Sequence, residues 1–496
     1  MTLVDALNSH SQWNPQKTAL FCGDEDMSYG TLNESTTVMA GWFLREGLQP
    51  GDRVAVHWTN SIQVVQLLYA LFKAGLTAVT INTRLKPAEI GYILNHSQAK
   101  MCFSEPELAP LAEQADGNCP VFAGLPAFET PGWDRAVLPT GDPDRPAVLL
   151  YTSGTTARPK GVTHTHRTFT QMLVILQKEW VKLTGGDDLR SLCVLPMMHI
   201  GGLSVVTGTI HSGGSVVLLP KFDTAAVLNA IERFQCSWLA CMPALWQFIV
   251  AEQERSPRQV SSLTAAAAGG DAVPVALQDR FRAAFGIPLQ EVYGLTESVL
   301  VMGNPIDAIR PGSMGVPFEG VELRIVDAEG RDVMAGETGE LLVRSPGVCI
   351  GYWNDPDSTR GALKDGWLHT GDLASCDADG YYWFRGRKKE IIIRAGSNIS
   401  PQEVEEALYR HAAVGEVGVV GQPDPVYGEI VTAFVVLRTG YHAGPEELRE
   451  FAKERLADYK VPEKFVFLPD LPKGPTGKVH RRSLKEMALA GSVAAA

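Results

Sequence analysis

The feature that most constrains this chain is a recurring change of period. Helix-period segments give way to short apolar, β-branched runs: VVQLLYALFKAG then LTAVTIN, TAAVLNAIERFQ then CSWLACM, VALQDRFRAAFG then IPLQEVYG. Repeated helix–strand units of this kind read as βαβ units around parallel sheets. From about residue 311 to 385 the texture changes to short strands such as VELRIVD, GELLVRS and YYWFRG, separated by DAEG, DPDS and DADG. That pattern predicts antiparallel pairing in a small β-barrel. After Gly386-Arg387-Lys388-Lys389 a new alternation begins: a strand in EIIIRAG, a helix from Ser400, strands GEVGVVG and IVTAFVVL, and a helix PEELREFAKERLADYK. These roughly 100 residues should form a compact α+β unit of their own. The expected division is 1–386 and 387–496, with the charged turn at 386–389 as the hinge.

Composition narrows the class. A chain of 496 residues, 45% hydrophobic and 20% charged, should hold two to four globular cores. Its 44 basic and 56 acidic residues give a net charge of −12, and the basic residues are dispersed, which argues against a nucleic-acid partner. The eight cysteines (22, 102, 119, 193, 236, 241, 349 and 376) include no CxxC pair and are read as reduced packing residues. The opening MTLVDALNSHSQWNPQ lacks the basic-then-apolar pattern of a secretory signal, so a cytoplasmic location is expected. Ser61 to Thr80 is the most apolar stretch. It carries Gln63, Gln66 and Lys73 and breaks at Gly75, so a buried helix leading into a strand is expected, not membrane insertion. A homodimer is left open.

Chemistry is concentrated in Tyr151-Thr152-Ser153-Gly154-Thr155-Thr156-Ala157-Arg158-Pro159-Lys160-Gly161, directly after the apolar AVLLY. Small hydroxyl-bearing residues closed by a lysine can wrap phosphate oxygens with N–H, O–H and ammonium donors. The segment is no Walker A loop, because Gly161 follows Lys160 where that motif needs a hydroxyl for magnesium. Further along, Glu297 beside Thr296 offers hard oxygen to Mg²⁺. Asp372 in HTGD reads as a turn aspartate able to accept two hydrogen bonds. Lys478 follows a Gly-Pro-Thr-Gly turn that should leave a long ammonium on a mobile loop. His164 and His166 lie near His199 in no metal-binding pattern, since no cysteine or carboxylate completes a zinc set.

The phosphate-loop segment resembles that of the adenylate-forming superfamily, which includes acyl-CoA synthetases, peptide-synthetase adenylation domains and firefly-type luciferases. The resemblance continues in order through Pro196-Met197-Met198-His199, Gly269-Gly270-Asp271, Tyr293-Gly294-Leu295-Thr296-Glu297-Ser298, Gly366 to Asp372, Gly386 to Lys389, and Pro475-Thr476-Gly477-Lys478. It implies a large N-terminal domain of two doubly wound α/β subdomains plus the barrel, and a small mobile α+β C-terminal domain turning about Lys389. It also implies that Thr152, Ser153, Gly154, Thr155, Thr156, Lys160, Gly269, Gly270, Asp271, Tyr293, Gly294, Thr296, Asp372 and Arg387 bind ATP or AMP. Within that set Tyr293 would stack on adenine, and Asp372 and Arg387 would hold the ribose. Glu297 would carry the metal, Lys478 would bridge the attacking carboxylate and the α-phosphate, and His199 would gate the thiol route. The family's usual glycine is Ala157 here, a change costing about 1 kcal/mol if φ is positive.

The same resemblance bears on substrate. Amino-acid-activating relatives carry an aspartate shortly after the position of His199; here the next residues are Ile200, Gly201 and Gly202, so an ammonium would lack a counter-charge. The projected acyl pocket, Ile200, Gly201, Trp238, Val292, Gly294, Val299 and Leu300, is uncharged and implies an apolar acid, a medium or longer fatty acid ahead of an aryl acid. Nothing in residues 479–496 resembles a carrier domain, so CoA is the expected acceptor. Ala395 and Gly396 would line its channel once the C-terminal domain turns. Loading of a separate carrier protein is the alternative.

Overall fold

The computed structural model describes residues 1–126, 138–152, 158–184, 188–271, 273–395, 397–474 and 478–493. The parallel sheets expected from the alternation are present. A nine-stranded sheet runs Val316–Pro317, Ser298–Gly303, Leu289–Leu295, Ala265–Gly269, Trp238–Cys241, Arg190–Cys193, Ser215–Leu218, Thr18–Cys22, Glu25–Ser28. Its centre, from Leu289–Leu295 to Thr18–Cys22, is parallel and its margins antiparallel. A seven-stranded sheet has Thr77–Thr80 and Arg53–His57 at its parallel centre. The antiparallel pair Pro146–Thr152 and Lys160–Thr165 lies toward one margin.

Helices pack on these sheets for local reasons. Helix Ile62–Lys73 starts where the Ser61 hydroxyl accepts the Val64 amide at 3.3 Å, which satisfies an otherwise orphaned donor. It ends at Gly75, whose φ of +70° a side chain would resist. Burial of almost every residue from 62 to 81 accounts for its apolar run. Lys73, the exception in charge, points its ammonium at the Asn33 carbonyl and side-chain oxygens and the Thr37 hydroxyl, 2.6 to 2.8 Å away. Among the described residues no helix is long and apolar enough to cross a membrane. The eight cysteines are unpaired, and five of them are buried.

The region after 311 forms a five-stranded antiparallel sheet built on Glu322–Val326, Gly339–Arg344 and Trp367–Cys376, with Tyr382–Arg387 on the last of these. A fourth sheet, five-stranded, is centred on the long hairpin Val414–Asp424 and Gly428–Leu437. Helix Pro401–Tyr409 packs on it, and its core of Val404, Leu408, Val417, Val419, Val431 and Val435 is separate from the cores of the other sheets.

Candidate active site

A cleft of about 2570 Å³ is lined by residues from all four sheets. Each described residue nominated by the sequence lines it, with the exception of Ala395. Ser153, Gly154, Thr155, Thr156, Ala157 and Gly396 lie outside the described residues.

The phosphate-loop segment is bounded by two paired strands, so that Thr152 and Lys160 are direct register partners. The Lys160 ammonium lies 5.0 Å from the centre of the Tyr352 ring, within cation–π range. Tyr352 in turn donates its hydroxyl to Glu297 Oε1 at 2.8 Å. Burial, then the Glu297 charge, raises the Tyr352 pKa, so the phenol keeps its proton.

Thr296 and Glu297 occupy a two-residue connection between strands Leu289–Leu295 and Ser298–Gly303, not the start of a helix. His164 Nε2 lies 2.8 Å from the Thr296 carbonyl oxygen, and the Cys349 amide donates to the Glu297 carbonyl at 2.8 Å. With both carbonyls of that connection held, the Thr296 and Glu297 side chains are left to face the cleft. Just before it the strand is irregular between Tyr293 and Leu295. A side chain at Gly294 would fall 1.7 Å from the Val299 carbonyl oxygen, so only glycine fits the bulge.

Asp372 corrects an expectation. The His369-Thr370-Gly371-Asp372 segment is no turn but lies inside the ten-residue strand Trp367–Cys376. Gly371, at φ +72°, makes a local irregularity there. The Thr370 hydroxyl accepts the Asp372 amide at 3.0 Å and donates to the Leu341 carbonyl at 2.7 Å, which satisfies the backbone groups a turn would otherwise have to satisfy. Asp372 is 6% exposed. Its Oδ1 lies 3.1 Å from Arg387 Nε, and its Oδ2 accepts the Tyr293 hydroxyl at 2.6 Å. Burial, then the Asp372 charge, pushes the Tyr293 pKa well up.

Lys478 reaches this cluster from the C-terminal part of the chain. A Cβ placed on Gly270 would lie 3.8 Å from Lys478 Cε and 3.9 Å from its Nζ. Burial lowers the pKa of this ammonium, and the Asp271 charge opposes that fall. Arg481, three residues on, pairs with Glu405 and with Glu390, the latter at 3.0 Å. Glu390 directly follows Lys389, which itself lines the cleft. Ala395 is exposed, has φ +47° and donates its amide to the Tyr427 carbonyl at 2.7 Å.

His199 precedes helix Ile200–His211. Asn82 Nδ2 lies 2.8 Å from His199 Nε2; with the amide as donor, the ring proton sits on Nδ1. Burial, reinforced by Lys478 and Arg84, brings the His199 pKa down to about 4, so the ring is neutral near pH 7. Ile200, Gly201, Trp238, Val292, Val299 and Leu300 form the adjoining apolar wall. Between residues 176 and 304 the described lining contains no lysine or arginine. Asn82 and Tyr352 escaped the sequence reading, because neither belongs to a motif and each acts on a partner far away in the chain.

Comparison with known proteins agrees with this geometry. Residues 7–353 match the AMP-binding enzyme family and residues 403–478 its C-terminal domain. A sulfoacetate–CoA ligase of Cupriavidus necator is 36% identical over 96% of this chain and 95% of its own length. A fatty acid–[acyl-carrier-protein] ligase, ScoC, of Streptomyces coeruleorubidus is 33% identical over 98% and 96%. The crystal structure of the anthranilate CoA ligase AuaEII in complex with anthranoyl-AMP superposes with a TM-score of 0.92 at 30% identity, covering 99% of this chain and 98% of that one. With both family regions matched in order, the chain belongs to the AMP-binding enzymes, among the acyl-CoA synthetases of the adenylate-forming superfamily.

Proposed function

We propose that the protein is an AMP-forming carboxylate–CoA ligase whose acid is a monocarboxylate with an apolar tail. The observation that carries this reading is the approach of Lys478 to Gly270 and Asp271, beside the Asp372–Arg387 pair and in the same cleft as Glu297. In the first step a carboxylate oxygen attacks the α-phosphorus of ATP and the bond to pyrophosphate breaks. Lys478 offsets the charge gathering between carboxylate and phosphate. Asp372 and Arg387 hold the ribose, Tyr293 flanks the adenine, and Thr152, Lys160 and Thr296 contact phosphate oxygens. In the second step the CoA sulfur attacks the acyl carbonyl, its proton passes to solvent, and AMP leaves.

Magnesium fits the donor set as a companion of the nucleotide. Glu297 offers hard carboxylate oxygen, and among the described residues no group of three or more His, Cys, Asp or Glu gathers into a metal cage. Bound by Glu297 and phosphate oxygens, the ion would neutralise phosphate charge.

The lining speaks to the acid. Its 176–304 portion carries no lysine or arginine among the described residues, and His199 is neutral near pH 7, which disfavours an acid with a second anionic group. A fatty acid of medium or longer chain is favoured over an aryl acid by the apolar character of the wall. CoA is favoured over a carrier protein as acceptor because the sulfoacetate and anthranilate relatives are both CoA ligases by name. Release of AMP from ATP with each acid of a panel, measured with free CoA and separately with a phosphopantetheinylated carrier, tests the proposal. AMP release with carrier but not with CoA would overturn the choice of acceptor.

A further inference from the structure

Beyond the acyl wall the cleft continues as a channel between the nine-stranded sheet and two helices. Alternate positions on the sheet face are small: Gly269 and Ala267 on one strand, with Ala240 the register partner of Ala267 on the next. Opposite them stands helix His166–Thr184, which lines the cleft with Leu176, Glu179, Trp180 and Leu183. One alternation further down, Ala265 pairs with Trp238. There the Trp238 and Trp180 rings meet edge to face, with centroids 5.0 Å apart and planes at 67°. The two residues are 5% and 2% exposed, yet both line the cleft. Trp180 is seated from behind by helix Ile200–His211. A Cβ on Gly208 would lie 2.7 Å from Leu176 Cδ2 and 3.1 Å from the Trp180 ring, so the absent side chain is the notch the ring occupies.

We infer that Trp180 is the floor of the acyl channel and sets the length of acid the enzyme accepts. This rests on the proposed reading of the substrate as an apolar monocarboxylate. From Gly269 to the level of Ala265 and Trp238 is four residues of strand, about 13 Å at roughly 3.3 Å per residue. An extended chain advances about 1.2 Å per bond, a third of the span of an extended residue, so about ten bonds fit above the floor. A longer tail must displace a ring packed against Trp238 and Gly208, and interiors packed at native density resist such a move. The channel is therefore matched to medium-chain acids.

The test is a length profile. Wild type, Trp180→Ala, Trp180→Phe and Gly208→Ala are assayed with straight-chain acids and with ω-phenylalkanoic acids of increasing tether, scoring kcat/KM by CoA-dependent AMP release. In wild type, kcat/KM should fall for chains longer than about ten carbons. Trp180→Ala should raise kcat/KM for the longest acids by about tenfold or more while leaving the KM for ATP unchanged. Gly208→Ala should move the optimum to shorter acids, because the added methyl drives Leu176 and Trp180 toward the channel. A Trp180→Ala enzyme that loses activity in parallel on every acid, with no change of profile, overturns the floor. If that variant fails to fold, Trp180→Phe decides: a shift of the optimum toward longer acids supports the proposal, and an unshifted profile refutes it. A wild type that rejects both series sinks the apolar-acid reading and the floor with it, whereas a normal wild-type profile that no variant shifts sinks the floor alone.

Discussion

Arg481 Nε lies 3.0 Å from Glu390 Oε2, which ties the segment carrying Lys478 to the residue that follows Lys389. Arg481 is also bonded to Glu405, so Glu390 and Glu405 share one guanidinium. Glu390→Gln removes one charge from this clamp while keeping its shape. Acyl-AMP formation should fall by about tenfold, with conversion of supplied acyl-AMP and CoA to thioester preserved. Equal loss in both half-reactions would show that the pair only stabilises the C-terminal part.

Lys389 is the proposed pivot between two arrangements of the C-terminal part, one with Lys478 in the cleft and one with the Ala395 segment there. Proline fixes φ near −65°, so Lys389→Pro should trap one arrangement. Adenylation should proceed at a near-normal rate and transfer to CoA should fall by orders of magnitude, as read by single-turnover assays of each step. Mild, parallel losses would reduce Lys389 to a solvated charge.

Lys478→Ala removes the ammonium beside Gly270 and Asp271. Such electrostatic contacts contribute about 3 kcal/mol or more to a transition state, a hundredfold or more in rate. Pyrophosphate release should drop by at least that factor, while thioester formation from supplied acyl-AMP should persist.

Tyr352→Phe deletes the hydroxyl on Glu297 Oε1 and leaves the ring under Lys160. The Glu297 carboxylate should then be less well oriented. The magnesium concentration needed for half-maximal pyrophosphate release should rise several-fold, with the KM for the acid unchanged. An unaltered magnesium dependence would separate Tyr352 from the metal.

His57, His164, His166 and His199 are each pushed down to about 4 by burial. Folding favours the neutral ring of each, relative to an ordinary value of 6.5, so their contribution is complete above about pH 6.5 and is lost as pH falls toward 4. Each histidine that takes up a proton only on unfolding adds a slope of about 1.4 kcal/mol per pH unit in that window. The melting temperature should hold above pH 7 and fall steeply from pH 6.5 to 4. A melting temperature insensitive to acid over that range would refute the burial argument.

The chemistry-bearing residues were legible where function demands a particular atom type at a fixed place. Thr152, Lys160, Tyr293, Glu297, Asp372, Arg387 and Lys478 were all nominated from motifs, and the fold gathers them in one cleft. The parallel sheets were legible because buried strands and amphipathic helices have different periods. The HTGD segment misled because glycine and aspartate usually mark turns, whereas here the Thr370 hydroxyl meets the backbone needs inside a strand. Asn82 was hidden for another reason. It bonds His199 from 117 positions away, and no local pattern encodes a contact made only by tertiary packing.

Strand Thr18–Cys22 takes its parallel neighbour from Ser215–Leu218, Leu20 lying opposite Val216, almost two hundred residues later in the chain. During synthesis at about 5–20 residues per second, that strand waits roughly ten to forty seconds for its partner. The beginning of the polypeptide therefore cannot be finished as a folding unit when it emerges from the ribosome. The seven-stranded sheet, whose central strands all lie between residues 53 and 165, can pair first, so the later-starting segment is the earlier to close.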